Sequence, residues 1–260
     1  MNNLKEYKNW ALANGDSNIY FPLLKDFLKS VTEINEENIN IFIAEKKAKY
    51  AIGYVNNYIS AIRNYLKFKK IELRTPTLAR TIQTIPNYIT LEFLENQIIP
   101  DLPLLFGQKN QAKIKVLLYF MFYSGLRKSE IITLKKENFD FKNTECKVYI
   151  KKTKEERLIP LTEKIMRMII EYSYDHPSET NIFDINEAQI DYICSKIAGN
   201  YKIKFHPHSL RHSMAMHMKK MGFDLQDIGL LLGHKNINST LRYAKADIKE
   251  IKNKFKERIK

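Results

Sequence analysis

The sequence predicts a mainly α-helical chain with a small antiparallel β-sheet, divided into a helical N-terminal domain and a larger α+β domain. Three observations predict it. Apolar residues recur at helical spacing along most of the 260 residues, one window from Asn138 to Leu161 alternates with period two, and the stretch from Arg74 to Pro86 has no period at all.

Residues 1–73 read as helices only. Within them Tyr54, Tyr58, Ile62, Tyr65 and Leu66 form one stripe, and Arg63, Lys67, Lys69 and Lys70 make the same segment basic. The text RTPTLARTIQTIP, residues 74–86, suits an extended linker, which places a second domain at 87–260. That domain opens with Lys113 to Tyr123, apolar on nearly all sides as a helix buried in a core must be. Residues 139–141, 147–150 and 157–160 then read as three strands of a small sheet, with Thr153 to Glu156 as its last turn. Helices resume after it. Asn186 and Gln189 have the form of a capping box, and Gly199 is placed to end the helix they begin. Leu210, Met214, Met218 and Met221 make a further core stripe closed by Gly222.

Lys and Arg number 43 against 29 Asp and Glu, a net charge of +14, and at 44% hydrophobic the chain is too apolar for disorder. The excess is local: residues 1–40 sum to −2 and residues 41–80 to +7. So positive a surface concentrates polyanions, which makes nucleic acid or an anionic membrane face the partner class to test, with Arg63, Lys67, Lys69 and Lys70 the candidate contacts to a nucleic acid. Cys146 and Cys194 are the only cysteines, which excludes a disulfide framework and a Cys-rich zinc site and fits a reducing cytoplasm. The first twenty residues have no apolar secretory core, and the longest apolar run, Val116 to Tyr123, falls far short of the roughly 20 residues that cross a bilayer. A cytoplasmic protein without a membrane partner is expected.

Four clusters could carry chemistry. In the run from Ser124 to Glu130 a glycine breaks the buried helix, and Arg127 and Glu130, three apart, let a carboxylate hold a guanidinium's orientation. Lys151, Lys152 and Lys154 crowd the hairpin tip, from which a long ammonium can reach a ligand. Pro207 suits a helix start, with His208 and Arg211 on one face. His208 and His212, four apart, could instead hold a metal; with no acidic residue in that span and no cysteine nearby, no metal and no cofactor is expected. The fourth cluster is Gly233-His234 followed by Asn238 to Tyr243. Taken singly, each has an ordinary structural explanation.

Taken in order, Arg127, a hairpin lysine, His208-x-x-Arg211, Gly233-His234 and then Tyr243 nine residues past that histidine, the pattern resembles the tyrosine recombinase family, which includes phage integrases and the Xer recombinases. The resemblance covers essentially the whole chain, residues 1–73 being similar to the family's core-binding domain. It implies a catalytic set of Arg127, Lys152, His208, Arg211, His234 and Tyr243, with Glu130 supporting Arg127. Two guanidiniums suit a phosphodiester because they offer planar bidentate donors and stay charged. His234 and His208 add hydrogen bonds or manage protons beside the same phosphate. Tyr243 is the implied nucleophile. A phenol with a pKa of about 10 is phenolate in only about one molecule in a thousand at neutral pH, so nearby cations and a histidine must assist it. The product is a 3′-phosphotyrosyl link and a 5′-hydroxyl, protonated on departure by Lys152. Alignment on residues 157–161 favours Lys152, and alternation puts Lys151 on the opposite face; the choice between them stays open.

The resemblance further implies ATP-free strand exchange, a synaptic homotetramer on two specific double-stranded DNA sites with a monomer as the free form, and a Holliday junction on the way. Residues 247–260, with Ile248, Ile251 and Phe255 on one stripe, dock either on their own chain or on a neighbour. The biological role is chromosome-dimer resolution or integration and excision of a mobile element. Competing readings are a type IB topoisomerase, a non-catalytic DNA-binding protein on the same fold, and a metal-dependent hydrolase at His208 and His212.

Overall fold

The computed structural model describes residues 2–13, 20–79, 86–150, 155–176, 181–233 and 240. The chain divides into two compact units, Met1–Gln83 and Thr84–Lys260.

The first unit is built from α1 (Asn2–Ala13), α2 (Tyr20–Ser30), α3 (Glu36–Lys49) and α4 (Ile52–Lys69). The Asn35 side chain starts α3 by accepting from Asn38 N at 2.8 Å. Glu36 and Glu37 in its first turn and Lys46, Lys47 and Lys49 in its last complement the helix dipole. The other three helices pack on α4, which buries Val55, Tyr58, Ile59, Ile62, Tyr65 and Leu66 against Leu24, Phe27, Phe42 and Ile43. Tyr54 does not join that stripe. It lies in the first turn, 44% exposed, with its ring against those of Tyr50 and Tyr58 at centroid distances of 5.1 and 5.6 Å. Lys70, at φ 56°, ends α4, and residues 71–79 run back along it, Asn56 exchanging two hydrogen bonds with the Ala79 backbone at 2.9 and 3.0 Å.

The second unit opens with a continuous helical run of α5 (Leu91–Phe93), a π turn (Leu94–Ile98) and α6 (Ile99–Phe106). The long α7 (Gln108–Ser124) follows and packs against α6, a later helix α9 (Glu163–Asp175) and α11 (Pro207–Lys220). Its residues Leu117, Leu118, Phe120, Met121 and Phe122 are at most 1% exposed, which is why the sequence shows no polar face there. Burying a Phe so completely stabilises by about 2–3 kcal/mol. Between α7 and α9 lie the short α8 (Lys128–Ile131) and a sheet ordered β1 (Phe139–Asp140), β2 (Glu145–Ile150), β3 (Glu155–Pro160), antiparallel throughout. Among the described residues the fold is thus mainly helical with one small antiparallel sheet, as the sequence predicts.

Three local expectations are corrected. Glu155 and Glu156 belong to β3 and not to the turn: they pair with Ile150 and Tyr149, and Glu156 is held by Lys147 across the ladder at 2.7 Å. Asn186 and Gln189 do cap α10 (Glu187–Tyr201) reciprocally, each bond 2.9 Å, but Gly199 lies inside that helix, where a Cβ would meet nothing within 4 Å. The left-handed cap is Lys202, φ 51°. Met221 leaves the α11 stripe at 65% exposure, while Met214 and Met218 pack on Ile228 and Leu232 of α12 (Leu225–Leu232).

Cys146 and Cys194 are both buried, and burial pushes each thiol up to about 12. Among the described residues no helix is long and apolar enough to cross a membrane.

Candidate active site

The site begins where α7 stops. Gly125, at φ 59°, turns the chain in a conformation that disfavours other residues, and a Cβ there would fall 2.8 Å from Leu232 Cδ2. Two residues on, Arg127 is the N-cap of α8 in extended backbone geometry, with Glu130 at the third helical position. That spacing lets one carboxylate reach back twice. Glu130 Oε2 accepts from the Arg127 backbone N–H at 2.8 Å, and Oε1 accepts from Arg127 Nη1 at 3.0 Å. The Glu130 side chain is 7% exposed while Arg127's is 37% exposed, so a buried anion holds a guanidinium that still faces outward.

Arg211 stands on α11 and is 3% exposed. Its Nη1 donates to Gly125 O at 2.7 Å and its Nη2 to Leu232 O. Those carbonyls end α7 and α12, so one guanidinium ties together the turn leading to Arg127 and the turn, Gly233 at φ 62°, leading to His234. With little water around it, the Arg211 charge is weakly screened.

His208, near the start of α11, has the rings of His206 and His212 at centroid distances of 6.4 Å each. Desolvation by its neighbours, then the charges of Arg211, His206, Arg127 and Lys128, hold its imidazole below the ordinary 6.5. In the free protein His208 is therefore expected to be mostly neutral at pH 6.5, and its pKa to rise when an anion binds and opposes those cations. A histidine NMR titration with and without inorganic phosphate reads both; a value above 6.5 in the free protein contradicts the arrangement. Its contribution to stability runs the same way. The unfolded chain takes up the proton first, so stability declines as pH falls below 6.5.

Lys151, Lys152, His234 and Tyr243 lie outside the described residues. In the first unit, Arg63 donates from Nε to Thr75 Oγ1 at 2.7 Å and from Nη2 to Pro76 O at 2.9 Å, while Lys67 and Lys70 are exposed and Lys69 is half-buried over the Tyr65 and Phe68 rings. Among the described residues no group of three His, Cys, Asp or Glu that could hold a metal occurs.

One residue at this site was passed over in the sequence. Arg157 of β3 pairs with Val148 and points inward, and its Nη2 reaches Glu130 Oε2 at 3.4 Å. The signal was present: in period-two alternation Arg157 shares the face of the buried Ile159.

Comparison with known proteins agrees with this geometry. A sequence model described as the phage integrase family matches residues 93–250. The tyrosine recombinase XerA of Thermococcus onnurineus is 27% identical over 271 residues, covering 96% of this chain and 92% of that protein. Among solved structures, the Tn1549 transposon integrase in complex with circular intermediate DNA shares the fold with a TM-score of 0.74 at 15% identity, over 98% of this chain and 99% of its own. XerH site-specific recombinase bound to difH substrate, in a pre-cleavage complex, gives 0.68 at 18% identity over 85% and 69%. The family match takes in more than half of the chain, from α5 past Tyr243, and the chain belongs to the phage integrase family of tyrosine recombinases.

Proposed function

We propose that this protein is a site-specific DNA recombinase that cleaves and rejoins strands through a 3′-phosphotyrosyl intermediate. What supports the reading is the double anchoring around Gly125: Glu130 aims Arg127, and Arg211 binds both the Gly125 carbonyl, two residues before Arg127, and the Leu232 carbonyl, just before Gly233-His234. Residues more than eighty positions apart thereby meet at one cationic place.

In this reading the scissile phosphate lies against Arg127 and Arg211, whose charges oppose the negative charge that grows on the non-bridging oxygens. His234 and His208 complete the hydrogen bonding around it. The Tyr243 hydroxyl attacks phosphorus and passes its proton to a histidine of the site, the P–O bond to the 5′ oxygen breaks, and Lys152 gives that oxygen a proton. The new phosphodiester keeps the bond type of the old, so a 5′-hydroxyl from a second duplex reverses the step without ATP. Arg63, Lys67, Lys69 and Lys70 contribute to duplex binding from the helical unit. The active assembly is a homotetramer on two recombination sites, in the cytoplasm, with residues 1–73 as core-binding domain, 74–86 as linker and 87–260 as catalytic domain. The named relatives include Xer recombinases and a transposon integrase, so the proposal concerns the reaction common to chromosome-dimer resolution and mobile-element movement.

The test is incubation with a library of nicked duplexes of randomised core, in which the cleaved end diffuses away and the covalent product accumulates. Denaturing electrophoresis is expected to show a protein–DNA adduct with the native chain and none with Tyr243→Phe. An adduct that persists in Tyr243→Phe overturns the assignment of the nucleophile; relaxation of supercoiled DNA lacking any preferred site points to a type IB topoisomerase instead.

A further inference from the structure

Arg157 is placed as few arginines are. Its side chain is 11% exposed, and among the described residues its Nε and Nη1 have no hydrogen-bond partner. Its ion pair to Glu130 Oε2 is long at 3.4 Å. On the other side a Cβ added to Gly233 would overlap Arg157 Nη1 and come within 3.0 Å of Cζ. The guanidinium therefore fills the space between the carboxylate that aims Arg127 and the turn that leads to His234. Burying a cation with donors left over is costly for folding, and a methionine of similar length would pack there with less penalty.

Charge explains what the cost secures. Arg127 and Glu130 alone form a neutral pair, which offers little field to a phosphate. Arg157 adds a second cation to the same carboxylate, on Oε2, and leaves the group of three with a net charge of +1. Its Nη2 shares Oε2 with the Arg127 backbone N–H while Oε1 faces Arg127 Nη1, so with Oε2 engaged the carboxylate offers one oxygen and not two to the Arg127 fork.

We propose that Arg157 is a positioning residue for strand cleavage: through Glu130 it sets the aim and effective charge of Arg127, and its guanidinium packs against the Gly233 turn. The proposal rests on the recombinase reading above and adds to it a link between the β-hairpin and the phosphate site. A lysine cannot replace the guanidinium fully, since one ammonium cannot face Glu130 and Gly233 in the same planar geometry.

The experiment measures single-turnover adduct formation at saturating nicked duplex, with DNA affinity and thermal melting measured on the same full-length samples. Arg157→Met is expected to slow adduct formation by about 10²-fold, the scale of an ångström-sized misplacement, while the Kd for DNA changes less than about threefold. Arg157→Lys is expected to recover part of the rate. The decisive reading is a cycle with Glu130→Gln: if Arg157 acts through Glu130, Arg157→Met slows the Glu130→Gln protein far less than it slows the native one. Equal slowing in both backgrounds, or a folded Arg157→Met protein that cleaves at the native rate, overturns the proposal. Where Arg157→Met does not fold, Arg157→Lys carries the same cycle. Gly233→Ala supplies an independent arm: its defect should shrink when combined with Arg157→Met, which removes the overlapping Nη1, and an unchanged defect counts against the contact. Absence of adduct from the native chain itself removes the recombinase reading, and this proposal with it, and is thereby told apart from a failure at Arg157 alone.

Discussion

Replacing Arg211 by Ala is expected to lower strand cleavage by about 10³-fold and to weaken the catalytic unit at the same time. The kinetic part follows from losing a weakly screened charge at the position proposed for the phosphate. The structural part follows from what that side chain binds: Gly125 O and Leu232 O lose their donor, and each buried carbonyl left unpaired costs about 1–3 kcal/mol. Arg211→Lys separates the two. It restores a cation but cannot fork to two carbonyls, so the melting temperature should recover further than the rate, which is expected to stay about 10²-fold down. Single-turnover adduct formation and calorimetric melting, made on the same preparations, check both. A rate for Arg211→Ala within tenfold of the native chain would refute the phosphate role given to this residue.

Loss of Glu130 is the other large effect. The carboxylate accepts from the Arg127 backbone, from Arg127 Nη1 and from Arg157 Nη2, and it is 7% exposed. Glu130→Ala leaves two guanidiniums facing each other with nothing between them, so the penalty is that of breaking a buried ion pair, about 3–5 kcal/mol. For a unit of this size that corresponds to a fall in melting temperature of roughly 6–20 °C. Binding of DNA should suffer less than folding, because the polyanion itself supplies the missing negative charge. Melting curves with and without duplex test this: DNA is expected to restore more of the lost temperature in Glu130→Ala than it adds to the native protein, and equal increments argue against the carboxylate's role.

Much of this arrangement is readable in the sequence for physical reasons. A helix apolar on every side, such as α7, has no alternative to burial; Asn186 with Gln189 can satisfy the start of a helix locally; and Arg127 with Glu130 needs three residues of helix to meet. The basic helix and the ordered set from Arg127 to Tyr243 carry the family on their own. What escaped depends on contacts made between distant segments. Glu155 and Glu156 look like turn residues until Ile150 and Tyr149 are known to lie opposite them. Gly199 has the composition of a helix stop, yet Lys202 takes the strained position because the chain turns only there. Arg157 is an unremarkable strand residue until β3 is folded over Glu130 and Gly233 comes up against it. Lys128 likewise offers no hint in sequence that Asp191 and Glu187, about sixty residues on, hold it at 2.6 and 3.3 Å.

The depth of the two cysteines has a practical consequence. With both thiols shielded inside the second unit and hardly ionised at neutral pH, maleimide reagents should pass the native chain by. One cysteine introduced on an exposed face away from the basic stretch, at Thr32 or Asn40 for instance, then becomes a unique handle for a fluorophore, and the helical unit's arrival on a duplex can be followed in real time without first rebuilding the interior.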